Sequence, residues 1–201
     1  MPKSSARALA LIHRFEGIDV PWRWPGKASG VTLPYGYDLG YERNFERDWG
    51  ALLPEVTMDR LRPVLGLKGE AAHRAALKLR DVKISLAAAE DVFNATVLPR
   101  EEALTARVFP GSDTLPGDAF GALVSLVYNR GALIDQSDRR REMLELYRLF
   151  RKGLPFDVIR IADLVESQKR LWADVRTSDG DLHDRRIAEA ALIRGANRQA
   201  P

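Results

Sequence analysis

Three side chains early in the sequence have the types that cleavage of a glycosidic bond needs. Glu16 stands between Phe15 and Gly17, where an apolar stretch gives way to a Gly/Pro-rich one. A carboxyl held against apolar groups loses hydration, which favours the protonated acid that a leaving glycosidic oxygen requires. Asp38 lies between Gly36 and Gly40. Held ionised by loop amides, it would place a water or stabilise an oxocarbenium-like transition state, with the Thr32 hydroxyl orienting that water. Each residue also has a plainer reading. Glu16 then serves as an exposed carboxylate or an arginine partner, Asp38 as a turn former, and Thr32 as a β-branched strand residue. Asp19 is a rival second carboxylate. Three residues after Glu16, it would share one side of a helical turn rather than face Glu16 across a cleft. Trp22, Trp24, Tyr35, Tyr37 and Tyr41 crowd the same stretch, although aromatics are only 8% of the chain. Their rings suit either stacking on sugars or a small core beneath the loop.

The elements that must position these residues follow from periodicity. Ala8, Leu11, Ile12 and Phe15 recur at helical spacing behind Ser4 or Ser5 as cap, which predicts a helix over 4–14 ended by Gly17. Pro21, Pro25 and Pro34, with Gly26, Gly30, Gly36 and Gly40, forbid a long helix over 18–41. Val31-Thr32-Leu33 and Tyr35-Gly36-Tyr37 are the predicted strand pieces of a small hairpin. Beyond it the chain is helical, with segments predicted at 45–53, 58–65, 69–82 and from Ser85, and Pro99 marking a break or a new first turn. The segment 117–130 is apolar on nearly every side, which predicts a central buried helix. Helices at 139–152, 156–172 and 182–194 complete an α+β, mostly α architecture.

Composition narrows the classes. The chain has 201 residues, 45% hydrophobic and 29% charged, which suits one globular domain with a sizeable core. No apolar run approaches a membrane span, and the short apolar run after the start is bounded by arginines, unlike a signal peptide. The expectation is therefore synthesis in the cytoplasm, with export needing outside help. The absence of cysteine removes disulfides and thiol nucleophiles. His13, His73 and His183 are too scattered for a zinc pair, so neither a metal nor a cofactor is expected. The formal charge of +3 suits an anionic polymer, nucleic acid or cell wall. Arg139 to Arg141 and Arg185-Arg186 are expected on solvated faces. No nucleic-acid-binding signature accompanies them.

Taken together these residues resemble the phage-type lysozymes, in particular their pesticin-like muramidase branch. Phe15-Glu16-Gly17 resembles the family's Glu-Gly signature. Residues 29–40 resemble that branch's Gly-Val-Thr-Ile-Gly-x-Gly-Tyr-Asp-Leu-Gly loop, with Pro34 where the family usually has glycine. Residues 118–131, ending Tyr128-Asn129-Arg130-Gly131, are similar to its long central helix, and Arg185-Arg186 with Glu189 echo its Arg-Arg-x-x-Glu helix. The matches run in family order from about residue 8 to residue 194. The resemblance implies a single lysozyme-like domain over 1–201, with a small β-containing lobe at about 16–50 and a helical lobe at about 51–195. It implies Glu16 as catalytic acid, Thr32 and Asp38 as catalytic partners, and Tyr35, Tyr37 and Asn129 as substrate contacts. The substrate implied is peptidoglycan, cut between N-acetylmuramic acid and N-acetylglucosamine, with a holin or an immunity protein as partner. Two rival readings keep the same fold: a wall-binding or phage structural module without turnover, and a lytic transglycosylase. A nucleic-acid binder is the remaining rival.

Overall fold

A computed structural model describes residues 3–18, 20–173 and 182–197. The rival carboxylate Asp19 lies outside the described residues. The chain is mostly helical, with one two-stranded antiparallel sheet. In order, the elements are α1 (Ala6–Glu16), β1 (Thr32–Leu33), β2 (Tyr37–Asp38), α2 (Phe45–Trp49), α3 (Glu55–Leu61), α4 (Gly69–Ala76) and α5 (Leu86–Val92). They continue with α6 (Leu98–Val108), α7 (Gly117–Arg130), α8 (Arg141–Arg151), α9 (Val158–Ser167) and α10 (Leu182–Asn197). Among the described residues no helix is long and apolar enough to cross a membrane.

The chain divides into two compact units, one of residues 1–15 with 99–201 and the other Glu16–Leu98. The second unit therefore takes in, besides the hairpin, helices that the sequence analysis placed in the helical lobe.

In the first unit α7 is the centre, buried continuously from Asp118 to Val127. Its neighbours are α10, α9, α8 and α1, which supply Ala8, Met143, Leu146, Phe150, Ile161, Val165, Ala190 and Ile193 to one apolar cluster. α1 begins as its sequence predicts, with the Ser5 hydroxyl accepting from the Ala8 amide at 3.1 Å. The same hydroxyl donates to Asp118 at the start of α7, and the Arg7 guanidinium pairs with that carboxylate at 2.8 Å. The two helices approach through Gly121, where an added Cβ would collide with the Ala8 side chain.

In the second unit Val31, Leu33, Leu39, Phe45, Trp49, Met58, Leu61 and Phe93 are buried. Several local expectations are corrected here. Tyr35 and Gly36 are not strand but belong to a three-residue turn, Pro34–Gly36, joining β1 to β2. Pro34 fixes the entry φ, and the chain then takes positive φ at both Tyr35 (60°) and Gly36 (73°), which no strand tolerates. Pro34 stands at the first position of that turn, where a missing amide donor leaves nothing unpaired. The helix expected to run to residue 82 ends at Ala76. There the amides switch to tighter bonds, Lys78 to the Ala75 carbonyl and Leu79 to the Ala76 carbonyl, while Arg60 takes the Lys78 carbonyl. Ser85 makes no side-chain cap bond to α5. Of the two readings of Pro99, a break or a new first turn, the second holds. A π-helical turn, Phe93–Val97, loosens the backbone just before it, so the proline falls in the first turn of α6.

Candidate active site

Thr32 and Asp38 are brought together by the register of the hairpin, in which Thr32 pairs with Asp38 and Leu33 with Tyr37. Directly opposed residues of an antiparallel pair present their side chains on one face, about 5 Å apart at Cβ. The Asp38 carboxylate is fastened. The Gly30 amide donates to both oxygens, at 3.0 Å to Oδ1 and 3.1 Å to Oδ2, and the Gly40 amide donates to Oδ1 at 2.8 Å. Both glycines are buried and touch. A Cβ on Gly30 would lie 2.6 Å from the Gly40 Cα, and one on Gly40 would lie 2.7 Å from the Leu67 carbonyl oxygen. Only hydrogen at these two positions lets the loop close on itself. With two donors Oδ1 is saturated, whereas Oδ2 has accepted one bond and keeps an acceptor position. Thr32 is buried, its hydroxyl 3.5 Å from the Gly30 carbonyl oxygen.

Tyr35 and Tyr37 sit beneath this loop, 5% and 2% exposed. Tyr35 packs edge-on against Phe93, its hydroxyl 3.3 Å from a Glu90 carboxylate oxygen, and Tyr37 packs edge-on against Trp49 and donates to Asp48 at 2.9 Å. Burial, reinforced by the charge of Glu90 and the bond to it, pushes the Tyr35 hydroxyl above its usual range. The rings thus form the small core that the sequence left open as one of two readings. They also hold Tyr35 in its left-handed conformation, which costs a bulky residue about 1–3 kcal/mol. The exposed aromatic surface of this unit comes instead from Trp22 and Tyr41. The Tyr41 face carries the Lys68 ammonium at 3.6 Å. Trp24 stacks on His73 and donates to the Ser29 carbonyl at 2.9 Å. A cavity of about 510 Å³ in the same unit is lined by Arg60, Pro63, Val64, Arg74, Lys78 and their neighbours, and by none of Glu16, Thr32 or Asp38.

Glu16 is the last residue of α1 and half-buried. The helix end preceding it rests on a buried polar cluster of the first unit. There the Arg185 guanidinium lies 5.9 Å from the centre of the Phe15 ring. Arg185 and Arg186 are 1% and 0% exposed, which overturns their expected place on a solvated face. Glu189 Oε1 accepts from the Ser125 hydroxyl at 2.6 Å, Arg186 at 2.9 Å and Arg185 at 3.2 Å. Arg185 also donates to the Ser125 carbonyl, and Arg186 to Asn129 Oδ1 at 3.3 Å. Asn129, expected to meet substrate, is thus tied to the α7–α10 contact. The signal for this burial was in the spacing: Arg185, Glu189, Leu192 and Ile193 share a helical face with buried neighbours. A charged pair at that spacing within an apolar face is a buried pair. The Gly30–Gly40 contact had no such signal, because a close approach between glycines ten positions apart leaves no periodicity.

The chain matches no protein-family model and no curated protein.

Proposed function

We propose that the chain is a muramidase of lysozyme-like fold, acting on the β-1,4 bond between N-acetylmuramic acid and N-acetylglucosamine in peptidoglycan. The observation that carries this reading is the hairpin register, which sets Thr32 opposite Asp38, an immobilised carboxylate that keeps an open acceptor position. Glu16 protonates the leaving oxygen as the glycosidic bond breaks, and Asp38 Oδ2 takes a proton from the water, oriented by Thr32, that attacks the anomeric carbon. Backbone strain at Tyr35, in the turn joining the two strands, is of the kind that gathers at working sites. The resemblance of residues 29–40 to the pesticin-like loop supports the same assignment. Delivery to the wall by a holin, or control by an immunity protein, belongs to this reading.

The test is Glu16→Gln. Purified, folded E16Q protein fails to clear a peptidoglycan suspension that the wild type clears, with turbidity and released reducing sugar as readouts. Full clearing by E16Q would sink the assignment. A second reading draws on the saturation of Asp38 Oδ1 by loop amides. If that carboxylate only fastens the loop, Glu16 acts alone, and the reaction is a lytic transglycosylation yielding 1,6-anhydro ends. Mass spectrometry separates the two, because hydrolytic products are heavier by one water.

A further inference from the structure

A surplus of positive charge gathers at the C-terminal end of α7. Burial, together with the charges of Arg140, Arg186 and Arg139 and against the opposing pull of Glu142, lowers the Arg130 pKa to about 10. The carboxylates in the neighbourhood already have partners. Glu142 pairs with Arg170 at 2.6 Å and Arg141 at 2.9 Å, Asp138 with Arg170 at 2.8 Å and Arg141 at 3.4 Å, and Glu189 with Arg185 and Arg186. Asp135 accepts from the Ser137 hydroxyl and amide. Among the described residues no carboxylate lies within ion-pair distance of Arg130, Arg139 or Arg140. Arg130 donates to the Arg139 carbonyl and lies 5.3 Å from the Trp172 ring, which helps fix its direction. Among the described residues, its Nε and the Arg140 Nη1 are buried without a hydrogen-bond acceptor. Burying unmatched donors on mutually repelling cations is unfavourable unless something negative completes the site.

We infer that Arg130, Arg139 and Arg140 form a binding site for an oxyanion, a carboxylate or phosphate group carried by an anionic polymer. Planar guanidinium forks suit a group with two or more oxygens better than a point charge such as chloride. Arg139 is exposed and the other two half-buried, so a group arriving from solvent meets Arg139 first. The inference does not rest on the role of Glu16. A carboxylate would come from a wall peptide or muramic acid, and a phosphate from a phosphate-bearing wall polymer.

The experiment uses the full chain, titrated with inorganic phosphate and separately with acetate, each against sodium chloride at matched ionic strength. Arginine Nε–Hε resonances and the melting temperature are followed. The expected result is a saturable shift at Arg130 and Arg140 with a rise in Tm beyond that in chloride. The anion that binds more tightly names the source. R140Q and R139Q each weaken that binding at least tenfold. R139Q, at an exposed position, keeps the test valid if R140Q does not fold. Without added anion R140Q melts no lower than wild type, because it relieves repulsion. Responses equal to those in chloride, or titrations unchanged in both variants, overturn the inference. A folded R140Q that melts well below wild type in chloride alone does so as well, since the arginine is then a structural partner.

Discussion

Replacing Asp38 separates fastening from chemistry. Asp38→Ala leaves the amides of Gly30 and Gly40 without their acceptor, and both residues are buried. An unmade buried donor costs about 1–3 kcal/mol, so the pair, with the charge assistance also lost, comes to about 4 kcal/mol. Asp38→Asn is a milder change. Its carbonyl oxygen can stand where Oδ1 stands, 3.0 Å from the Gly30 nitrogen and 2.8 Å from the Gly40 nitrogen, keeping both bonds. Charge assistance disappears, about 1–2 kcal/mol, and with it the second arm of the Gly30 amide, which at the Oδ2 position would face an NH2 donor. The assay is equilibrium urea unfolding, with amide exchange at Gly30 and Gly40 as a local readout. Expected are rapid exchange at both amides in D38A and near-native protection in D38N, with cell-wall clearing lost in both. An alanine variant within about 1 kcal/mol of wild type, its Gly30 amide still protected, would refute the fastening argument. Equal destabilisation by asparagine and alanine would refute the division between charge and geometry.

Glu189→Gln leaves Arg185 and Arg186 buried with a neutral partner and should destabilise by about 3–5 kcal/mol in urea unfolding. A loss under about 1 kcal/mol would mean that the two arginines are compensated elsewhere. Burial raises the pKa of Glu142, but hydrogen bonds from Arg170 and Arg141 outweigh it and hold the carboxyl below its usual 4.5. A carboxyl with a depressed folded pKa contributes stability above the unfolded value and loses it as pH falls through the folded one. Urea midpoints should therefore drop as pH falls below 4.5, and R170Q should show a shallower drop over the same window. Gly121→Ala forces a methyl into Ala8 and should cost about 1–3 kcal/mol. Gly195→Ala in α10 meets open space and should stabilise by about 0.5–1 kcal/mol, read as paired shifts in Tm.

What could be read from sequence was whatever repeats with a period. The apolar run 117–130 became α7 with the bounds its pattern implies, and α1 begins at its serine cap. The hairpin was legible as proline and glycine density, but its turn was not, because a left-handed tyrosine has no sequence signature. The π-helical turn before Pro99 was hidden for a related reason: the residues Phe93–Val97 are ordinary helix formers, and only the missing proline amide further on loosens them. At the site, Thr32 and Asp38 were legible as a pair through the resemblance of residues 29–40, and the register sets them opposite in the sheet. The fate of Tyr35 and Tyr37 was not, because an aromatic ring suits a sugar and a core equally.

The contact of Gly30 with Gly40 has a consequence for how such a chain could lose activity. The loop cannot dispense with the carboxylate that ties it, whether or not any bond is cleaved nearby. A descendant that kept the shape and gave up turnover would therefore retain its aspartate. In this architecture the aspartate is a mark of the loop's shape, and its presence alone is no sign of turnover.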